Sequence, residues 1–487
     1  MIEDIFKSAV VHHNKKNFSK AKEIYESLLK TNPNNFIILQ NYATLLSQIK
    51  EYKRADDTFK KCLKIKPKDP LLLYNYGKFF HDQKNYEKAI KFYNESFETE
   101  PRSAVPLYNI GNICLSKNEF EKAIIYFKKV IEISPSNFLA YNNMAIAYKN
   151  IGNFNEALKF YKEAINKNNN YVDGHVNYST MLLTMNKMKE GLDEYEWRKK
   201  SKSFSDYIDY RSLNLKSKIW NGENLDNKKL FVIAEQGIGD LIQFARYLYL
   251  IKDKYKAEVI LKIKGKSFLH FFQKNDFKVI LENESIPTHD YHIHMMSLLR
   301  IFFRTNELFC NQVNFFPSDQ KTKEKWKMKF SKIKGFKIGI HWSTSALMPE
   351  KDIPLEHFIQ LASDFNKNFF VLQKDVNLND KNKLKNKKNI FYFPDMDNAK
   401  KAFLDSAEII RNLDLVITSD TAIAHLSATL KKKTWIALPL IADWRWFSDK
   451  KNSKWYKNVS IYRQKKAGDW SEVFTIIREN LKKEFKK

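Results

Sequence analysis

Cysteine, arginine and glycine are all scarce in this 487-residue chain, and each scarcity narrows the reading. The three cysteines, Cys62, Cys114 and Cys310, stand far apart, which excludes a disulfide framework and a cysteine zinc cluster. A reducing cytoplasm is the expected compartment. No run of about 18 uncharged apolar residues occurs, so no membrane-spanning helix is expected. The opening segment, MIEDIFKSAVVHHNKKNF, lacks the basic-then-apolar order of a signal peptide. Against these absences, 43% apolar residues with 14% aromatics exclude general disorder.

The net charge of +28 invites a polyanion-binding reading, but only 11 of the 84 basic residues are arginine. Arginine makes the bidentate contacts to phosphate and guanine. The 73 lysines accompany 45 asparagines, a pairing that points to AT-rich coding bias. The surplus is +9 over residues 1–200 and +19 over the rest. No specific nucleic-acid partner is expected. The charge leaves open a peripheral contact with the anionic face of an inner membrane.

Prolines fall at Pro33, Pro67, Pro101 and Pro135, each interval being 34 residues, the tetratricopeptide period. With each proline set as repeat position 32, position 20 reads Ala21, Ala55, Ala89, Ala123, Ala157 and Gly191. Position 24 reads Tyr25, Phe59, Tyr93, Phe127, Tyr161 and Tyr195, and position 8 reads Ala9, Ala43, Gly77, Gly111, Ala145 and Ser179. Small residues at positions 8 and 20 let two antiparallel helices approach, and the aromatic fills the space beside them. The proline ends the second helix. Five good repeats and a degenerate sixth thus predict an α-solenoid over residues 1–200, whose groove binds protein or peptide. Cys62 and Cys114 fall on packing positions. Asn41, Asn75, Asn109, Asn143 and Asn177 recur at position 6, on the helix expected to line the groove. They form either an amide ladder for an extended peptide or a by-product of abundant asparagine.

Beyond a linker at 201–227, short apolar runs alternate with helical patterns, which predicts parallel sheets covered on both faces. Two doubly wound halves, 228–320 and 321–487, would meet at a crevice outside their strand carboxyl ends. Three segments follow such strands. The first, Glu235-Gln236-Gly237-Ile238-Gly239-Asp240, spends two of only 12 glycines, so its backbone needs freedom or close approach. Asp240 is either a helix cap or a carboxylate that takes a proton from an acceptor hydroxyl. The second, Asp420-Thr421-Ala422-Ile423-Ala424-His425, opens a helix whose N–H groups suit an anion. Its bland reading is a capping Asp420 and a half-buried His425. In the third, Gly339-Ile340-His341-Trp342-Ser343-Thr344-Ser345, hydroxyls could hold phosphate and Lys351 could neutralise it.

The stretches EQGIGDLIQFARYL, DLVITSDTAIAHLSATLKKKTWIALP and ADWRWF resemble bacterial tetratricopeptide proteins carrying a heptosyltransferase-like glycosyltransferase domain of family nine. The resemblance implies an α + α/β chain, the solenoid followed by a GT-B-like pair of Rossmann-type domains, acceptor half first. It implies inverting, metal-independent sugar transfer from a nucleotide-diphosphate sugar, with no other cofactor, to a protein or glycan acceptor. Asp240 would be the base. Gly237, Gly239, His341, Ser343, Thr344, Lys351, Asp420, Thr421, Ala422 and His425 would surround the donor. Thr421-Ala422 replaces the heptosyltransferase Thr-Gly, so heptose itself is not implied, and Lys351 stands where arginine is common. The competing expectation is a protein-binding scaffold with an inactive sugar-nucleotide fold.

Overall fold

A left-handed residue recurs at repeat position 15: Lys16, Lys50, Lys84, Asn118, Gly152 and Asn186 have φ between 59° and 80°. Each ends the turn between two helices, so the backbone itself carries the 34-residue period. The computed structural model describes residues 2–201, 213, 215–266, 268–275, 277–311, 313–316, 318–344, 349–397, 402–448 and 451–486. They fall into two compact units, Met1–Tyr171 and Val172–Lys487.

The first unit holds five helix pairs: α1 Ile2–Asn14 and α2 Phe18–Thr31, α3 Phe36–Gln48 and α4 Tyr52–Ile65, α5 Pro70–Asp82 and α6 Tyr86–Thr99, α7 Val105–Ser116 and α8 Phe120–Ile133, α9 Phe138–Asn150 and α10 Phe154–Lys167. Each period-34 proline follows the second helix of its pair by two residues. Asn35, Asp69 and Asn137 cap the following helices by accepting the N–H groups of Ile38, Leu72 and Ala140. The position-20 alanines and position-24 aromatics are buried, and so are Cys62 and Cys114. Burial pushes the Cys62 thiol up to about 12, so it stays protonated and packs as a small apolar group.

The sixth pair, α11 Val172–Thr184 and α12 Met188–Glu194, belongs to the second unit. The expected boundary near residue 200 therefore moves to 171/172. The cause is the turn Tyr195–Lys200, which is tied to the first sheet. Arg198 donates from Nε and Nη2 to the buried Glu235 carboxylate at 3.0 and 2.7 Å. Leu183, Met188, Leu192 and Tyr195 join the core of that unit.

The first sheet has β1 Lys218–Ile219, β2 Lys229–Ile233, β3 Glu258–Ile263, β4 Lys278–Leu281 and β5 Tyr291–His294, in the order β1-β5-β2-β3-β4. Its helices are α13 Ile238–Tyr255, α14 Leu269–Gln273 and α15 Leu298–Arg304. The second has β6 Lys337–His341, β7 Asn368–Val371, β8 Ile390–Phe391, β9 Leu415–Thr418, β10 Thr434–Leu438 and β11 Val459–Arg463, in the order β11-β10-β9-β6-β7-β8. Its helices are α16 Gln320–Ser331, α17 Leu355–Phe365, α18 Leu378–Leu384, α19 Leu404–Arg411, α20 Ala422–Thr429 and α21 Trp470–Glu484. Every strand pairing in both sheets is parallel.

The expected linker at 201–227 is partly sheet. Residues 202–212 and 214 lie outside the described residues. From Lys218 the chain pairs with β5, and Trp220 is buried against Tyr255 and Phe302. β5 itself is not legible as a strand, because its sequence YHIH has no apolar run, although it sits between β1 and β2.

The small position 8 has a measurable reason. A methyl added to Gly111 would lie 2.7 Å from the Phe127 ring, and one on Gly77 would lie 2.8 Å from Tyr93. Overpacking of this kind costs about 1–3 kcal/mol. Gly111→Ala is expected to destabilise the protein by that amount in urea unfolding, and Phe127→Leu in the same chain to recover most of it. Equal stability of Gly111→Ala and the parent would disprove the close packing.

Candidate functional site

Four strand ends of the second unit open on one cavity of about 780 Å³. After β2 comes the turn Gly237–Gly239; His341 ends β6 and Ser343 and Thr344 follow it; after β7 come Leu372–Asp375, and after β9, Asp420–Ile423. Nine residues singled out from the sequence line it together: Gly237, Gly239, His341, Ser343, Thr344, Lys351, Asp420, Thr421 and Ala422. Ser345 lies outside the described residues.

The glycine-rich turn works by close approach. Gly237 and Gly239 have ordinary backbones, and Gln236 between strand and helix carries the left-handed φ of 69°. A Cβ on Gly239 would lie 3.1 Å from the His425 ring and 3.6 Å from the Ala422 Cα. Gly239 therefore lets the start of α13 rest against the start of α20. His425 is buried behind that contact, stacked on Trp446 at 5.3 Å with its Nδ1 3.0 Å from the Tyr456 hydroxyl. It supports the cavity without lining it.

Asp240 also stands beside the cavity. One carboxylate oxygen accepts the Gly237 N–H at 3.1 Å, which is capping, and the other is ion-paired with Arg445. Burial raises its pKa, against the pull of Arg445, and Asp443 adds to the rise. Arg445 was not singled out from the sequence, yet it ties the site together. Its guanidinium donates to Asp443 and to Gln236, each at 2.8 Å, and lies 4.5 Å from the Trp444 ring centre. Its signals were its place in the ADWRWF stretch and its rarity: arginine in a lysine-biased chain marks a place needing a planar, multidentate donor. Gln236 in turn donates to the Tyr195 hydroxyl at 2.5 Å.

Across the cavity, Lys351 Nζ is 2.6 Å from Asp420 Oδ2, and the Trp446 indole donates to Asp420 Oδ1 at 2.7 Å. Asp420 is thus an ion-pair partner rather than a cap. The helix start falls to Thr421, whose side chain makes no capping bond. The first N–H groups of α20 therefore face the cavity with no side-chain cap. Burial lowers the Lys351 pKa, but the Asp420 and Asp443 charges outweigh it and raise it. Ser343 and Thr344 hydroxyls both donate to Asp352, at 3.2 and 3.1 Å, so Asp352 competes for them with any phosphate. Further lining residues missed from the sequence are Gln373, which accepts the Ser343 N–H at 3.2 Å, and Phe403, an aromatic held at φ 65°.

The position-6 asparagines lie on the first helices of their repeats. Asn41 and Asn109 donate to the carbonyls of Ile37 and Val105, four residues back, at 2.9 and 3.1 Å. Asn109 also reaches the Tyr74 hydroxyl at 3.4 Å, and Asn143 reaches the Tyr108 hydroxyl at 3.1 Å and Asn112 at 2.8 Å. The series forms Tyr–Asn rungs between successive repeats, an arrangement not read from the asparagines alone. Asn75 is half-buried, and Asn177 falls in the second unit.

Tetratricopeptide-repeat models match residues 5–35, 37–69, 58–91, 104–137 and 126–159. The N-terminal region is therefore built of tetratricopeptide repeats, the architecture of a protein-binding scaffold. Among solved structures the chain is similar to the MamA protein, at 24% identity over 35% of this chain and 94% of that one, TM-score 0.32. It is also similar to PilF of Pseudomonas aeruginosa, at 18% identity over 43% and 95%, TM-score 0.38. A third is YrrB, a tetratricopeptide protein with an unusual peptide-binding site, at 17% identity over 36% and 89%, TM-score 0.30. No curated protein matches the chain. No described helix is long and apolar enough to cross a membrane, and no group of metal-binding side chains occurs among the described residues.

Removing one partner of a buried ion pair strands the other and costs about 3–5 kcal/mol. Arg445→Ala is expected to lose stability on that scale in thermal or urea unfolding, and retention of parental stability would dismiss its structural role. Burial also lowers both His341 and His425 to about 3. The unfolded chain then binds more protons than the folded one between about pH 6.5 and 3, so both rings make stability fall as pH drops through that window. His341→Gln with His425→Gln should flatten the pH 7-to-4 dependence of the melting temperature. An unchanged slope would show that the rings titrate in the fold as they do in the unfolded chain.

Proposed function

We propose that the second unit is a GT-B-type, inverting and metal-independent glycosyltransferase that moves a sugar from a nucleotide-diphosphate sugar to a protein or glycan acceptor. The observation that carries this reading is the convergence of the uncapped start of α20 and the Gly237–Gly239 turn on one cavity at the strand carboxyl ends. The diphosphate of the donor lies over Thr421–Ile423, at the first peptide N–H groups of α20, with Lys351 beside them. Loss of the nucleotide diphosphate from the sugar carbon is matched by attack of the acceptor oxygen. Its proton goes to Asp240, which Arg445 releases as the acceptor enters. Burial raises the pKa of Asp240 above the usual carboxylate value, which makes it a stronger proton acceptor. The tetratricopeptide unit recruits the acceptor or a partner that carries it.

Two observations favour a second reading, a protein-binding scaffold with an inactive sugar-nucleotide fold. Both Asp240 oxygens are engaged, and the residue does not line the cavity.

A panel of nucleoside diphosphates and nucleotide-sugars separates the two. A ligand at about 100 times its Kd stabilises the fold by about 2.7 kcal/mol, so one diphosphate series should raise the melting temperature. Mass spectrometry of acceptor digests with that donor should then find an added sugar. Asp240→Asn should keep the thermal shift and lose most turnover. A flat panel with every nucleotide would leave the scaffold reading standing.

A further inference from the structure

One face of the first helices stays apolar and open. Repeat position 2 reads Ile37, Leu71, Val105 and Leu139 in the second to fifth repeats, and these side chains are between 37% and 59% exposed. The class is kept while the residue varies, which coding bias does not produce. Among the described residues, the other exposed large apolar side chains of this unit fall at seven different repeat positions, once each. Single exposed apolar side chains are ordinary, whereas a recurring one makes a stripe. The stripe stops at the first and sixth repeats, where position 2 reads Glu3 and Asp173.

One helical turn further on, the same face carries the position-6 asparagines. Asn41 and Asn109 spend their Nδ2 groups on the Ile37 and Val105 carbonyls. Among the described residues nothing donates to their Oδ1 atoms, and Asn75 makes no side-chain bond. Asn143 Oδ1 accepts from Asn142 at 3.0 Å, so the fourth rung offers its aliphatic group alone. Three rungs thus pair an exposed aliphatic side chain with an open amide oxygen. The stripe also lacks charge. Of the twelve residues at positions 2, 6 and 9 of these repeats only Lys78 is ionised, in a chain with 29% charged residues.

We propose that this face holds an uncharged segment of a partner protein in the polyproline II conformation, with an apolar side chain at every third residue. The spacing selects that occupant. Packed helices lie roughly 8–10 Å apart. The first helices of successive repeats are in side-chain contact, Asn143 Nδ2 donating to Tyr108 Oη at 3.1 Å. Three residues of polyproline II rise about 9 Å, which keeps step with the rungs. Same-face residues of a β-strand repeat at roughly 7 Å and do not. A helix returns side chains at i and i+7, about 10.5 Å, but its N–H groups are paired internally and leave the asparagine oxygens without donors. A polyproline II backbone has no internal hydrogen bonds, so its N–H groups are open to them. Four rungs take about ten residues. A charged side chain laid on the stripe would lose water and gain no partner. The inference concerns binding alone and holds whether or not the second unit transfers a sugar.

The test is fluorescence anisotropy of the full chain with a labelled peptide of four Leu-Pro-Pro triplets, in which leucine supplies both the apolar group and the N–H of each rung. A peptide with three prolines between leucines should bind at least about tenfold more weakly, because its leucines miss successive rungs. Leu71→Ser with Val105→Ser should weaken the triplet peptide by at least about tenfold, through two lost apolar contacts, at an unchanged melting temperature. Ile65→Ser with Ile125→Ser, which removes exposed aliphatic groups from α4 and α8, should leave its binding unchanged. No binding, equal binding at the two spacings, or equal loss in the two variants would overturn the proposal. So would tighter binding of a helical peptide with leucine at every seventh residue.

Discussion

The second unit depends on one buried guanidinium. Arg445 is 6% exposed and holds Asp240 and Gln236 from the end of the first sheet together with Asp443 from its own turn. Burying it in isolation would be prohibitive, so its carboxylate partners must arrive with it. A lysine, with one compact charge, could not span these three acceptors at once. The clasp fixes how the Gly237–Asp240 turn meets the Trp444–Trp446 turn. Gly239 then allows the contact to close on Ala422 and His425. The cavity is the space left in front of that junction, which is why residues from four strand ends can share one wall.

The same dependence explains the end of the repeats. In the first five repeats the position-24 aromatic fills a site beside the small position-8 residue, as Phe127 does against Gly111. In the sixth, Tyr195 occupies the same sequence position but accepts from Gln236 and packs near Trp444 at 6.0 Å. Three residues on, Arg198 clamps Glu235. A repeat motif specifies a helix pair and leaves the pair's outer face to whatever is available. Here that face is the strand end leading into the site. Sequence periodicity reads the pair and is silent about its allegiance, so a boundary drawn from the repeat count lands about one repeat late.

Legibility follows the range of the interaction. The solenoid was readable because each packing position is sampled once per period, so coding bias at one repeat is corrected by the next. Strands such as LFVIA and KIGIH were readable because burial on both faces demands continuous apolar runs. β5 was not, since YHIH satisfies its position with histidines, one of them bonded through its Nδ1 to Ser217 at 2.8 Å. Within the site, residue types near strand ends were legible and their partners were not. Ser343 and Thr344 line the cavity as expected, but their hydroxyls also share Asp352, eight or nine residues on, a partner that was not legible. Asp420 was weighed as a cap and instead pairs with Lys351, 69 residues away. Each miss is a polar side chain whose partner lies outside its own element.

Charge separates composition from placement in the same way. The lysine surplus is set by coding, and a random distribution of it would leave carboxylates scattered among lysines on every surface. The buried cluster at the site departs from this: among the described residues Asp240, Asp420 and Asp443 pair with Lys351 and Arg445, three acids against two bases. In a chain of net charge +28 such an excess is not a statistical residue. Burial disfavours an uncompensated carboxylate, and the group that responds is Asp240, raised while Asp443 is lowered. Of these two carboxylates, the one nearest the glycine turn is therefore the better proton acceptor. Arg445 sets where that carboxylate sits, and the burial it enforces sets how readily the carboxylate holds a proton.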